Sequence, residues 1–276
     1  GATAAQAARR FGFARASTDL AAVLADDRID AVFITTRHDS HAELVVRALE
    51  AGKHVYVEKP LAITHEQLDA IEDCYRNLAE AGRLPILQVG FNRRHAALTR
   101  EVRHQLAGRQ RPVAVSVLVN AGLLPPDHWT QDPEIGGGRL VGEACHFIDL
   151  VEYLVDSPIA STSSILLDDA TKDSAVVSLS FADGSVASVQ YFSNGSRSFP
   201  KERVEVFSEG RILTLDNFRV LKGYDWPGFR RKRLWRQDKG HEAEVAAFIA
   251  RVREGGAPLI PWAELVEVTL ATFEAV

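Results

Sequence analysis

Methionine is absent from these 276 residues, and cysteine occurs only at positions 74 and 145. Two cysteines so far apart supply neither a disulfide framework nor a metal-binding spacing, so no metal site is expected, and a reducing, cytoplasmic compartment is. No apolar run is long enough to cross a bilayer, and no secretory leader pattern opens the chain. Neither sign of charge dominates. Thirty-two Lys and Arg stand against 37 Asp and Glu, and the net charge of −5 argues against a nucleic-acid partner. A G-x-G-x-x-G phosphate turn is also lacking, since the cluster Gly136–Gly138 has the wrong spacing and lies in the wrong half. About 30 residues, one βα unit plus a strand, are therefore expected upstream, and a chain without them is expected to hold a dinucleotide weakly. One local excess of charge, Arg230-Arg231-Lys232-Arg233, reads as a solvated loop or a charged edge strand. A phosphate-bearing substrate is the alternative.

What is present is a pair of βαβ units. Asp30-Ala-Val-Phe-Ile-Thr-Thr36 reads as a buried strand, and Ser40 with Glu43 has capping-box spacing for the helix that follows. That helix stops near Gly52 and leads into His54-Val-Tyr-Val-Glu-Lys-Pro60, a strand ending in an acid, a base and a proline. Thr64 and Gln67 cap the next helix, and Pro85–Gly90 is the third strand. Strand, helix and strand in so short a compass imply parallel pairing with right-handed crossovers. Ligands of open α/β sheets sit beyond the carboxyl ends of the strands. The polar tips Thr35, Thr36, Glu58, Lys59, Asn92 and Arg93 are thus candidate cofactor or substrate contacts. Pro60 holds Lys59 extended.

The run from Asp30 to Thr64, with Glu58-Lys59-Pro60 near its end, resembles the glucose-fructose oxidoreductase and inositol dehydrogenase family, Gfo/Idh/MocA. The run Gly136-Gly-Gly-Arg-Leu-Val-Gly-Glu-Ala-Cys-His146-Phe-Ile-Asp149 resembles that family's second motif. Residues 125–133 and 234–240 further resemble a subgroup fused behind a zinc-type alcohol dehydrogenase-like domain. The resemblance implies an NAD- or NADP-dependent dehydrogenase acting on a polyhydroxylated, sugar-like or cyclitol-like substrate. It implies that Lys59 and His146 converge, and that the open sheet of the second domain makes a homo-oligomer contact. The family commonly carries Asp four residues before the histidine. Here Gly142 stands there, and Glu143 follows it.

Beyond residue 108 the pattern becomes one of hairpins. Strands are expected at 111–120, 162–167, 175–181, 186–192, 204–207, 212–215 and 220–221, with two helices at about 238–253 and 261–276. The fold class is an incomplete Rossmann-type parallel sheet over residues 1–108, followed over 109–276 by an open, mostly antiparallel sheet with helices. On a helix beginning near Arg139, Glu143, His146 and Asp149 fall close to one face. Oxidising a secondary alcohol removes a hydride and a proton, and imidazole suits the proton. An ammonium stabilises alkoxide charge. His146, Lys59 and Glu143 are the catalytic candidates. Thr35, Thr36, His41, Glu58 and Lys59 are candidates for cofactor contact, with capping or packing an equal reading of His41. Asn92, Arg93, His128 and Asp149 are candidates for substrate contact, and Arg94 for simple ion pairing. A non-catalytic assembly or ligand-sensing module, and a lyase or glycosidase using transient oxidation, are the rival functions. The acid or arginine that reads the ribose is expected in the upstream segment, so NAD and NADP stay open.

Overall fold

The computed structural model describes residues 2–169 and 171–276. Two short helices, α1 (Ala2–Phe11) and α2 (Leu20–Leu24), precede a parallel sheet of β1 (Ala31–Ile34), β2 (His54–Val57) and β3 (Leu87–Val89). Val55 pairs with Val32 on one side and Leu87 on the other, giving the order β1-β2-β3. Helices α3 (His41–Glu50) and α4 (His65–Glu80) make the two crossovers. The Thr64 hydroxyl accepts the Gln67 amide at 3.2 Å, and Gln67 Oε1 reaches back to the Ile63 amide at 2.9 Å. The cap expected from Ser40 and Glu43 does not form. Ser40 already has helical backbone angles inside a 3-10 turn, and its hydroxyl points back to Thr36 Oγ1 at 2.7 Å.

After α5 (Ala97–Leu106) the chain enters one eight-stranded sheet. Its strands are β4 (Ala114–Asn120), β5 (Ile159–Leu166), β6 (Ala175–Phe181), β7 (Val186–Phe192), β8 (Glu202–Ser208), β9 (Arg211–Asp216), β10 (Val220–Tyr224) and β11 (Arg231–Arg233). The order is β11-β10-β9-β8-β4-β7-β6-β5. All neighbours are antiparallel except β4 and β7, which pair in parallel from Ala114–Val186 to Asn120–Phe192. Alternation on β4 sends Val115, Val117 and Val119 into the core, beneath α6 (Cys145–Val155). The opposite face carries Val186, Phe207 and Ile165 exposed. The basic run forms the fully exposed edge strand β11, and Lys232 pairs with Glu101 at 2.7 Å.

The first of two terminal helices returns to the parallel sheet, a docking that the sequence pattern does not announce, and the second packs chiefly on α6 and β5 and touches α4. On α7 (His241–Glu254), Phe248 packs on Tyr56 and Ile86, with its ring 5.4 Å from Phe33. On α8 (Trp262–Glu274), Trp262 stacks on Tyr75 of α4 at 4.4 Å, and Phe273 meets His65. The main core runs without a break from α3 and β2 to the strands of the large sheet.

Candidate active site

Lys59 follows β2 through a cis peptide to Pro60, and its ammonium donates to the Gly142 carbonyl at 2.5 Å. Gly142 lies in one turn of π-helix, Leu140–Ala144, which leads into α6. A β-carbon at position 142 would sit 2.8 Å from His38 Cε1, so the imidazole occupies the space a side chain there would need. His38 Nδ1 donates to the Gly136 carbonyl at 2.8 Å, the Asp39 amide donates to Ile135 O at 3.0 Å, and Trp129 lies edge-on to the His38 ring. Residues 129–142 are thereby fastened onto the tip of β1. Burial pushes the His38 pKa down to about 4, with Lys59 and His41 adding to the effect, so the ring is neutral at neutral pH.

The half-buried His146 is the second residue of α6, near Phe91. Its buried Nδ1 has no hydrogen-bond partner among the described residues. Burial holds its pKa well below the usual value, and Arg93, Lys59, His241 and Lys201 reinforce the shift. Glu143 does not bond the imidazole. It accepts from the buried Tyr191 hydroxyl on β7, with Arg139 Nε 3.8 Å away. Burial opposes the Glu143 charge. Lys201, the Tyr191 hydroxyl, Arg139 and Lys59 outweigh it and leave Glu143 an anion with a lowered pKa. Arg139 is itself held by the Gly122 carbonyl at 2.6 Å and by Asp173 at 3.6 Å. The structure thus brings Lys59, His146 and Glu143 close to one another.

Several predicted contacts lie elsewhere. Asp149 is fully buried and pairs with Arg94 at 2.6 Å, so it is not part of that group. His146 and Asp149 both lie in the regular helix α6, where three residues turn about 300°, so Asp149 falls about 60° around from His146, on the core side. Arg94 also holds Glu264 at 2.5 Å and Glu152 at 3.5 Å. Burial, with Asp149 and Glu264 close by, pushes Glu152 up to about 10, so it keeps its proton, and burial raises Asp149 to about 7 against the pull of Arg94. Asn92 is buried and donates to Lys239 O at 2.7 Å. Arg93 is buried, pairs with Glu202 at 2.6 Å and lies over Phe147, so it borders His146 only from behind. The two nitrogens of the buried His41 face Pro60 O at 2.8 Å and Thr36 O at 3.2 Å, which leaves none for a cofactor. His128 bonds Thr130 Oγ1 at 2.8 Å and caps a 3-10 turn in its own loop.

Thr35 and Thr36 are exposed at the tip of β1, and Glu58 lies beside Lys59 at the tip of β2. A β-carbon on Gly90, just past β3, would come within 3.0 Å of Glu58 Oε2, so glycine leaves the carboxyl its place. These tips suit the nicotinamide end of a dinucleotide, although no phosphate turn occurs among the described residues. Sequence reasoning passes over Tyr191, Arg139, Glu202 and Lys201. Tyr191 is one of many alternating strand residues, and Lys201 stands in a loop with no periodic marker.

Comparison with known proteins gives a consistent picture. Residues 1–91 match the NAD-binding Rossmann fold model of the Gfo/Idh/MocA oxidoreductases, and residues 97–214 match a C-terminal domain model of the same group. Levoglucosan dehydrogenase of Pseudarthrobacter phenanthrenivorans is 34% identical over 159 residues, 55% of this chain but only 40% of that protein. The scyllo-inositol 2-dehydrogenase (NAD(+)) of Bacillus subtilis is 28% identical over 92% of this chain and 77% of its own length. A solved levoglucosan dehydrogenase complex with NADH and levoglucosan superposes with a TM-score of 0.82 at 25% identity, covering 99% of this chain and 84% of that one.

Proposed function

The chain belongs to the Gfo/Idh/MocA family of oxidoreductases, and from that premise we propose an NAD(P)-dependent dehydrogenase of a sugar-like or cyclitol-like secondary alcohol. Residues 1–108 serve as the cofactor-facing unit and residues 109–276 as the substrate-facing unit. The observation that carries this reading is the meeting of Lys59, at the end of β2, with the Gly142–His146 segment. When bound, nicotinamide supplies the hydride acceptor. His146, kept neutral by burial and by the neighbouring Arg93, Lys59 and Lys201 charges, takes the proton of the reacting hydroxyl. Lys59 orients that hydroxyl and stabilises the charge growing on its oxygen. Glu143, fixed by Tyr191, accepts from a second hydroxyl and selects for polyols. The named substrates of the relatives, levoglucosan and inositols, support that substrate class. The exposed face of the large sheet serves as a contact between copies.

The test uses the natural protein with NAD or NADP and a panel of polyols. His146→Ala is expected to lower kcat by roughly 10²–10⁴-fold while NADH binding, followed by fluorescence, is unchanged. Lys59→Ala is expected to lower kcat as well. Normal turnover by the His146 variant would overturn the assignment.

A further inference from the structure

We propose that His38 is a substrate-binding residue, and that its imidazole fills the place of the side chain that Gly142 lacks. This rests on the proposed function and deepens it by adding an acceptor for a polyol hydroxyl beside the one that reacts. Three contacts meet at Gly142. Lys59 donates to its carbonyl at 2.5 Å. His146 follows four residues later, about one helical turn on. A β-carbon on Gly142 would lie 2.8 Å from His38 Cε1 and 3.3 Å from His38 Nδ1. The aspartate that the family commonly carries at this position would have to grow through the His38 ring. Glycine and histidine are thus a complementary pair. One withdraws its side chain from α6, and the other reaches in from the tip of β1.

The orientation of the ring decides what it offers. His38 Nδ1 lies 2.8 Å from the Gly136 carbonyl, which can only accept, so Nδ1 carries the hydrogen. In a neutral imidazole the lone pair is then on Nε2. Nε2 has no hydrogen-bond partner among the described residues, yet it is not one of the polar atoms sealed from solvent. The rest of the ring is fixed. His38 is only 5% exposed, with the Trp129 ring edge-on at 4.7 Å and His41 at 5.6 Å. Fastening residues 129–142 to β1 uses Nδ1 alone and gives Nε2 no task. A rigid acceptor, open at one atom and one residue contact away from Lys59, suits a ligand hydroxyl. Unlike a carboxylate, it places no negative charge beside the Lys59 ammonium.

The experiment separates the two ring nitrogens in the natural protein. In His38→Asn the side-chain amide can still donate to Gly136, but the acceptor at Nε2 is gone. For the polyol that turns over fastest in the panel above, His38→Asn is expected to raise KM about tenfold, equivalent to about 1.4 kcal/mol. Urea unfolding and NADH binding are expected to stay as in the parent. His38→Ala/Gly142→Asp returns an acceptor from the other side and is expected to recover most of the KM lost in His38→Ala. NMR of protein carrying isotope-labelled histidine needs no turnover. At neutral pH it is expected to show an unprotonated Nε2, assigned to His38 by its loss in His38→Asn, that shifts when polyol and NADH are added. A protonated Nε2, an unchanged KM in His38→Asn, or a loss confined to NADH binding overturns the proposal. The dehydrogenase reading fails separately, through absent NAD(P)-linked turnover or normal turnover in His146→Ala.

Discussion

A single hydrogen atom on Gly142 decides how closely the two motifs meet. Adding a methyl group there would place it 2.8 Å from His38 Cε1, and the ring has a buried bond to Gly136 that it cannot give up cheaply. Gly142→Ala is therefore expected to cost about 1–3 kcal/mol in urea unfolding and to slow turnover, because the Gly142 carbonyl that holds Lys59 must shift. Truncating the obstacle in Gly142→Ala/His38→Ala should return part of the lost turnover. His146 carries a prediction of opposite kind. Its pKa is lowered, so protonation sets in only in acid well below 6.5, and kcat/KM is expected to stay flat through that value. A pH–rate profile with a limb near 6.5 that disappears in His146→Gln would contradict this. Lys59 and His146 are legible in the sequence because each stands where a local pattern ends, one at a strand terminus and one behind a glycine run. Asp149 misleads because each i, i+3 step along α6 drifts about 60° around the helix, which takes it off the His146 face, and Asn92, Arg93 and His41 mislead because a strand tip can be sealed as easily as exposed.

At the scale of elements, α7 is the least anticipated piece. Its buried Glu244 accepts from the Tyr56 hydroxyl at 2.9 Å and from Gln88 Nε2 at 3.3 Å, both on the parallel sheet. Burial, with Glu58 nearby, pushes Glu244 up to about 8. The folded protein therefore keeps a proton that the unfolded chain releases near the ordinary glutamate value of about 4.3. The stability this group contributes is complete below that value and falls away as pH rises toward 8. Glu244→Gln keeps the shape without the titration. Relative to the parent, it is expected to gain on the order of 2–4 kcal/mol between pH 5 and pH 8 in paired denaturant titrations. A constant difference between the two proteins would refute it. The hairpin strands β6 and β7 match their expected bounds because period-2 alternation between turn signals is a local property. The parallel pairing of β4 with β7 is not local, since the chain passes through α6 and then adds β5 and β6 further out on the same sheet before β7 fills the place beside β4. No alternation within either strand reports that choice.

For the whole molecule, the large sheet has one face on α6 and the other open. Across four neighbouring strands the open face aligns Ser116, Ser188, Ser178 and Ser163, with Val186 (52% exposed), Phe207 (42%) and Ile165 (76%) beside that row. A flat, small-residue stripe flanked by exposed apolar side chains suits a second copy of itself. Light scattering at micromolar concentration is expected to give a multiple of the chain mass, and Val186→Glu with Phe207→Glu to reduce it. A monomer in both cases would remove the oligomer from the proposed function. The return of α7 to the first sheet, and of Trp262 to α4, bears on recombination. A graft that exchanged only residues 1–108 for those of a relative would set foreign side chains against Phe248 and Trp262, which are fitted to Tyr56, Ile86 and Tyr75. The exchangeable unit is discontinuous in the chain, and a working chimaera must carry residues 241–254 along with its new nucleotide half, while α8, which packs chiefly on α6 and β5, stays with the second half and is refitted at Trp262.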